Sequence, residues 1–351
     1  MVLPTGELVR TGFTRHQAAT TGEVHRWGLG PWLDGLFTQS NLGVVTRMTL
    51  WLTPLPEHSQ IFRFSLHQPV DQISFIDGIR QLRLTGVLSG GFVVANDIRL
   101  LAERQRYPWR ECGGLTPLPE AIRSRLRELH GLGSWNGEGA LYPVNAAHAR
   151  VLQDIISATF SPVVDHLEFL PATVGMPVED HLAMAYWRKR TPPPGHDLDP
   201  DRDRCGLIWV CPVVPLEPRH VSDVIDTVER GTRECGFEPN LSLNSIADRS
   251  LVVTTAIVYD RDILGEDDRA LHCYQLLLRR LIEQGYPPYR ISTASMAEHP
   301  KVTDNSPAVL RRIKRALDPK GILSPGRYDL RSQWPAPLMP SVQSATIQEV
   351  P

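Results

Sequence analysis

The chain contains no Cys-x-x-Cys pair, no His-x-x-x-His spacing and no surplus of either charge. Each absence removes a class of function. Its five cysteines, Cys112, Cys205, Cys211, Cys235 and Cys273, are odd in number, so neither a disulfide framework nor a zinc site is indicated. They read as buried thiols of a reducing compartment. The twelve histidines are dispersed, and no metal is expected. With 37 Lys and Arg against 39 Asp and Glu, there is no global basic field to attract nucleic acid. A membrane helix needs about eighteen consecutive apolar residues; no such run exists, and the N-terminus lacks the blocks of a signal peptide. A cytoplasmic enzyme portion is expected, with no membrane or nucleic-acid partner. The 351 residues, 42% hydrophobic, suffice for one large or two ordinary domains.

What is present begins with a turn-rich loop, Gly28 to Gly35, followed by the β-branched run Val44 to Leu52, which reads as a strand ended by Pro54 and Pro56. Gly43, just before it, permits close approach by a ligand or by another chain segment. Thereafter strands alternate with amphipathic helices. Expected strands are Gln60 to Leu66, Phe92 to Leu101, Gly137 to Tyr142, Leu207 to Val214 and Ser250 to Tyr259. Expected helices are Val70 to Leu84, with Ile73, Ile76, Ile79 and Leu82 apolar, Pro119 to His130, Asn145 to Phe160 with Val151, Leu152, Ile155 and Ile156 on one side, Pro218 to Cys235, Asp267 to Gln284 and Ala308 to Leu317. This is an α+β pattern, in which a sheet with helices gathered on one face would bury the apolar stripes. Residues 191–204, rich in Pro and charge, have the composition of a mobile surface connection. Residues 338–351 show little periodicity and are expected to be poorly ordered.

The segment Gly30-Pro31-Trp32-Leu33-Asp34-Gly35-Leu36-Phe37-Thr38-Gln39-Ser40-Asn41-Leu42-Gly43-Val44-Val45-Thr46 resembles a signature of the vanillyl-alcohol oxidase and para-cresol methylhydroxylase family. Further matches follow in order: Val2 to Gly12 upstream, then Gly133-Ser134-Trp135-Asn136-Gly137-Glu138-Gly139-Ala140-Leu141-Tyr142, Tyr289-Arg290, and Leu317 to Tyr328 downstream. They thin between about residues 160 and 285. The family comprises FAD-dependent oxidoreductases acting on para-substituted phenols. The resemblance implies that residues 1–56 close a FAD-binding domain and 57–300 form a cap or substrate domain with an antiparallel sheet. Residues 301–337 would return toward the flavin domain.

Tyr289 and Arg290 are the expected catalytic pair, because a guanidinium and a phenol hydroxyl together can hold a substrate as its phenolate. That anion pushes electron density toward the para carbon and makes hydride loss from the benzylic position feasible. Gln39, Asn41, Gly43, Val44 and Arg327 are the expected cofactor residues; for Arg327 a salt bridge anchoring the C-terminal loop is the equal alternative. Tyr142 and Trp135 are expected to pack in the core. The Gly-rich pyrophosphate loop, the acidic residue near flavin N5 and one substrate tyrosine of the family have no counterpart here, so FAD binding by this chain alone should be weak or absent. The position matching covalent flavin attachment is about Leu207, so any FAD is expected to be held non-covalently. Histidines of the family's cap strand are replaced by Leu251-Val252-Val253. Two functions follow: the C-terminal part of a phenol-oxidising flavoenzyme, completed by a separately encoded or lost N-terminal segment, or a non-catalytic remnant binding a small aromatic ligand or a partner protein. The strand Val44 to Leu52 should present unpaired backbone groups, which invite complex formation or a homo-oligomer.

Overall fold

In a computed structural model, the described residues are 1–328 except 53, 55, 68–71, 173–180, 192–197, 246, 299 and 301. The expected helix start at Val70, residues 192–197 of the Pro-rich connection and the 338–351 tail lie outside them. The chain forms two units, residues 1–52 with 291–351, and residues 53–290.

In the first unit Val2 and Val44 exchange backbone hydrogen bonds of 2.9 Å in both directions, and one helical turn, α1 (Asp34–Phe37), lies between them. The expected strand Val44 to Leu52 does not form. Val44 makes its single bridge, and Val45, Met48, Leu50, Trp51 and Leu52 are exposed. β-Branched composition favours a pleated, half-buried surface, but without a partner strand there is no ladder to realise it. Gly43 is closely approached by the chain itself. A Cβ there would lie 3.1 Å from the Phe37 ring and 3.2 Å from the Val2 carbonyl.

The second unit is built on one sheet. Its elements are β1 (Gln60–Leu66), α2 (Gln72–Leu84), β2 (Phe92–Asn96), α3 (Asp97–Arg104), α4 (Glu120–His130), β3 (Trp135–Leu141), α5 (Ala146–Phe160), β4 (His166–Pro171), α6 (His181–Ala185), β5 (Cys205–Val210), β6 (Val213–Pro215), α7 (Pro218–Glu234), β7 (Asn240–Ser245), β8 (Ser250–Asp260) and α8 (Glu266–Glu283). The strand order is β4-β1-β3-β2-β7-β8-β5, with β6 also on β8, and the pairings are antiparallel. The α+β expectation holds.

Three local expectations need correction. The strand beginning at Phe92 ends at Asn96, not Leu101, because the Asn96 side chain accepts the Arg99 amide at 3.0 Å and caps α3. The run Leu207 to Val214 divides into β5 and β6 around Pro212, which has no N–H to give a ladder. In α5 the buried residues are Ala149, Leu152, Ile156 and Phe160, whereas Val151 and Ile155 are exposed; spacings of three and four select one face, and the expected quartet spans two. Strands β4 and β7 are additional. The β7 sequence Asn-Leu-Ser-Leu-Asn-Ser is poor in β-formers and pairs because Leu241 and Leu243 are buried.

The main core lies between the sheet and α2, α5, α7 and α8, with Phe62, Phe64, Phe75, Phe92 and Phe160 at its centre. Phe64 and Phe75 ring centroids are 4.7 Å apart. Opposite them on β3, a Cβ on Gly137 would fall 1.8 Å from the Phe64 ring and one on Gly139 2.4 Å from the Phe62 ring. The Gly-Glu-Gly of the sequence motif is therefore a packing requirement. Residues of β8 alternate: Ile257 and Tyr259 enter this core, while Ala256 and Val258 join a smaller cluster with α3, α4 and α6.

The first unit is completed by α9 (Ser306–Leu317), with Pro307 in its first turn.

Candidate functional site

In the second unit, Gly285 (φ +88°) follows the end of α8 and lets the chain turn back. Pro287 and Pro288 have no N–H, so the segment is held by other groups. Val213 N–H donates to the Pro287 carbonyl at 3.0 Å and Tyr289 N–H to the Cys211 carbonyl at 3.2 Å. Tyr289 and Arg290 are thereby fixed to the chain between β5 and β6. The Arg290 guanidinium lies 5.2 Å from the Tyr289 ring centroid. Both residues are exposed, and among the described residues no carboxylate is within ion-pair distance of Arg290. Burial raises the Cys211 thiol above its ordinary range, against a hydrogen bond with Thr254 and the charges of Arg290 and Arg99.

On β5, β7 and β8 the residues alternating with the core leucines and valines include Trp209, Ser242, Asn244 and Thr254. The Asn244 amide donates to Thr254 Oγ1 at 2.8 Å and Ser242 Oγ at 3.0 Å. Arg99 of α3 lies 5.1 Å from the Trp209 ring. The alternating polar residues of β7 were the sequence signal for this face, and their low β propensity concealed it. Leu207 packs against the smaller cluster, while Leu251 and Val253 are in the main core. Trp135 is buried, but Tyr142 is 39% exposed, contrary to its expected place in the core. It follows the last paired residue of β3, where the sheet no longer covers it.

In the first unit the expected cofactor residues divide by what already occupies them. Asn41 donates to the Ser324 carbonyl at 3.2 Å, and its own carbonyl accepts from Lys314 Nζ at 2.6 Å. Gln39 Oε1 accepts from the Tyr328 hydroxyl at 3.2 Å. The backbone of Val44 is bonded to Val2. Arg327 stacks on Tyr328 at 5.2 Å, and among the described residues no carboxylate forms an ion pair with it, so its anchoring salt bridge is not found there. Asn41 and Gly43 thus make contacts within the fold, whereas among the described residues the Arg327 guanidinium is paired only with the Tyr328 ring.

Sequence reasoning missed Lys314 and Asp318, both buried. Burial opposes ionisation of Asp318. The Lys314 ammonium and the Leu323 and Ile322 amides outweigh it and hold the carboxyl below its usual range. A depressed folded-state value adds stability that is complete above the unfolded value of about 4 and is lost as pH falls through the folded one. Acid titration of the wild type should thus loosen residues 39–43 and 318–324 below about pH 4, as read by hydrogen exchange. In Asp318→Asn that acid-dependent step should be absent.

No protein-family profile matches the chain. It is 40% identical over 367 aligned positions to 1'-carboxy-chondrochloren decarboxylase of Chondromyces crocatus, covering 95% of this chain and 68% of that protein. It is 26% identical to the 4-cresol dehydrogenase [hydroxylating] flavoprotein subunit of Pseudomonas putida, covering 93% of this chain and 63% of that one. Among solved structures, p-cresol methylhydroxylase with substrate bound superposes with a TM-score of 0.82 at 23% identity over 94% of this chain and 64% of the other. The 4-ethylphenol oxidase of Gulosibacter chungangensis, in its isoeugenol complex, gives 0.82 at 22% identity over 95% and 65%. These two likenesses concern the fold. The chain spans about two thirds of the length of each of these relatives.

Proposed function

The chain belongs to the vanillyl-alcohol oxidase and para-cresol methylhydroxylase family of FAD-dependent oxidoreductases, and on that premise we propose that it forms the substrate-binding part of an enzyme oxidising the benzylic carbon of a para-substituted phenol. The observation that carries this proposal is Arg290: an exposed guanidinium, stacked on Tyr289 and without a carboxylate partner among the described residues. A permanent cation beside a hydroxyl donor stabilises the phenolate over the phenol. The phenolate delocalises its charge to the para position, so that hydride departure from the benzylic carbon leaves a neutral quinone methide. Fixed donors placed where charge is needed are usually the largest catalytic contribution.

FAD, when bound, supplies the hydride acceptor. The residues of the first unit fit part of such a group. Arg327 offers a charge for a phosphate oxygen, Gln39 a side-chain amide, and Val44 and Val45 exposed apolar surface. Binding is non-covalent, since Leu207 has no nucleophile.

The 40% identical decarboxylase favours a second possibility for the same site, a substrate with a carboxylate on the carbon next to the benzylic one. After hydride loss, departure of CO2 would return its bonding electron pair to the conjugated system, giving a vinyl phenolate and leaving no residual charge imbalance. The two differ in product. The protein is equilibrated with FAD and mixed anaerobically with para-ethylphenol or para-hydroxyphenylpropanoate. A hydroxylated or dehydrogenated product of unchanged carbon number supports simple oxidation, and vinylphenol with released CO2 supports oxidative decarboxylation. No flavin reduction with either would count against both.

A further inference from the structure

Non-glycine residues with left-handed backbone are uncommon and concentrate where the surrounding structure over-determines them. Among the described residues there are four, and three of them, Gln39 (φ +50°), Ser324 (φ +40°) and Tyr328 (φ +52°), belong to two short segments of the first unit. What holds those segments is Lys314. Its three donors are all used: Asn41 carbonyl at 2.6 Å, Asp318 Oδ2 at 2.6 Å and Leu323 carbonyl at 2.8 Å. Asp318 in turn accepts the Ile322 and Leu323 amides at 3.0 and 2.9 Å. The pair is 5% and 0% exposed.

Helix stability does not account for it. Asp318 is the C-cap of α9, where the negative end of the helix dipole disfavours a carboxylate. Nor does a surface ion pair, since both ends are buried and every bond but one leaves the helix. The Asn41 amide closes the arrangement with its bond to the Ser324 carbonyl, and Tyr328 closes it again at Gln39.

We propose that Lys314, buried against Asp318, is a positioning residue that holds the Gln39–Asn41 loop and the Ser324–Tyr328 turn in their left-handed conformations, so that Gln39 and Arg327 are set for a dinucleotide cofactor. This rests on the assignment of those two side chains to FAD. With its three donors engaged within the fold, Lys314 acts through backbone carbonyls on both segments. The device places the two cofactor side chains, which are 288 positions apart in the sequence, on backbone tied to one ammonium group.

The test uses the full chain in four forms: wild type, Lys314→Met, Lys314→Arg and Tyr328→Phe. Hydrogen exchange is followed without flavin, and FAD affinity is followed by quenching of flavin fluorescence. In Lys314→Met, exchange at residues 39–43 and 322–328 should rise about ten-fold or more while the β-sheet amides are unchanged, and FAD should bind about ten-fold more weakly. Lys314→Arg, keeping the charge, should recover part of both. Tyr328→Phe removes one exposed bond, leaves the core intact, and should weaken FAD and alter the bound flavin's visible band without raising exchange at 322–324. Unchanged exchange in Lys314→Met would overturn the clamp. Raised exchange with unchanged FAD affinity would overturn its role toward the cofactor. If wild type itself binds no FAD, the assignment of Gln39 and Arg327 fails, and the exchange data alone still decide whether Lys314 holds the two segments.

Discussion

Replacing Glu238 by glutamine is expected to destabilise the second unit by about 3–5 kcal/mol. Glu238 and Arg188 form a bidentate pair, Arg188 Nε to Oε2 at 3.0 Å and Nη2 to Oε1 at 3.1 Å, with side chains 4% and 1% exposed. The carboxylate also accepts the Leu118 amide at 3.1 Å, and the guanidinium carbon lies 5.5 and 4.8 Å from the Tyr107 and Phe237 ring centroids. Burial first, and then the Glu238 charge, raises the Tyr107 hydroxyl well above its ordinary range. Glutamine keeps the shape and removes the charge, leaving a buried guanidinium uncompensated. Urea unfolding followed by tryptophan fluorescence measures the loss. Glu120→Gln, whose partner Arg127 it meets at the surface, should cost no more than about 1 kcal/mol. Arg188→Met added to Glu238→Gln should restore part of the loss, because the stranded charge is gone. A Glu238→Gln effect as small as that of Glu120→Gln would contradict the importance of this pair.

Arg290→Ala is expected to lower kcat/KM for a para-alkyl phenol by about 100- to 1000-fold, the loss of one charge-stabilising donor at roughly 3 kcal/mol. Arg290→Lys should fall between, since an ammonium keeps the charge but not the planar, stacked geometry. The deficit should also depend on pH. A free phenol ionises near about pH 10, so raising pH toward that value supplies the phenolate without the guanidinium, and the variant should approach wild type. An equal deficit at all pH values would mean that Arg290 serves the fold. Its side chain is exposed and outside both hydrophobic cores, so stability should be unaffected, and melting curves separate the two cases.

The sequence was most legible where periodicity and packing agree. Gln60–Leu66 alternates Phe62, Phe64 and Leu66 inward, and α7 and α8 carry stripes that the sheet buries, so their bounds could be read to within a residue or two. It was least legible where a partner decides the outcome. Val44 to Leu52 has the composition of a strand and forms none, for want of a neighbour to complete the hydrogen bonds. Asn240–Ser245 lacks that composition and forms a strand, because β2 and β8 flank it. At the candidate site, residue type and order singled out Tyr289, Arg290 and Arg327. Gly43 and Asn41 also make contacts within the fold, which a linear pattern does not reveal. Lys314 was invisible for the same reason: on a helix it reads as a solvated charge, and only the fold shows all three donors turned inward.

The most direct measurement is the visible spectrum of the protein equilibrated with FAD, recorded anaerobically before and after addition of para-ethylphenol. Loss of the oxidised flavin band on adding the phenol, absent in Arg290→Ala at neutral pH, is the expected result. A spectrum unchanged by the phenol, with FAD shown to be bound, would contradict the assignment of Tyr289 and Arg290 to phenolate oxidation.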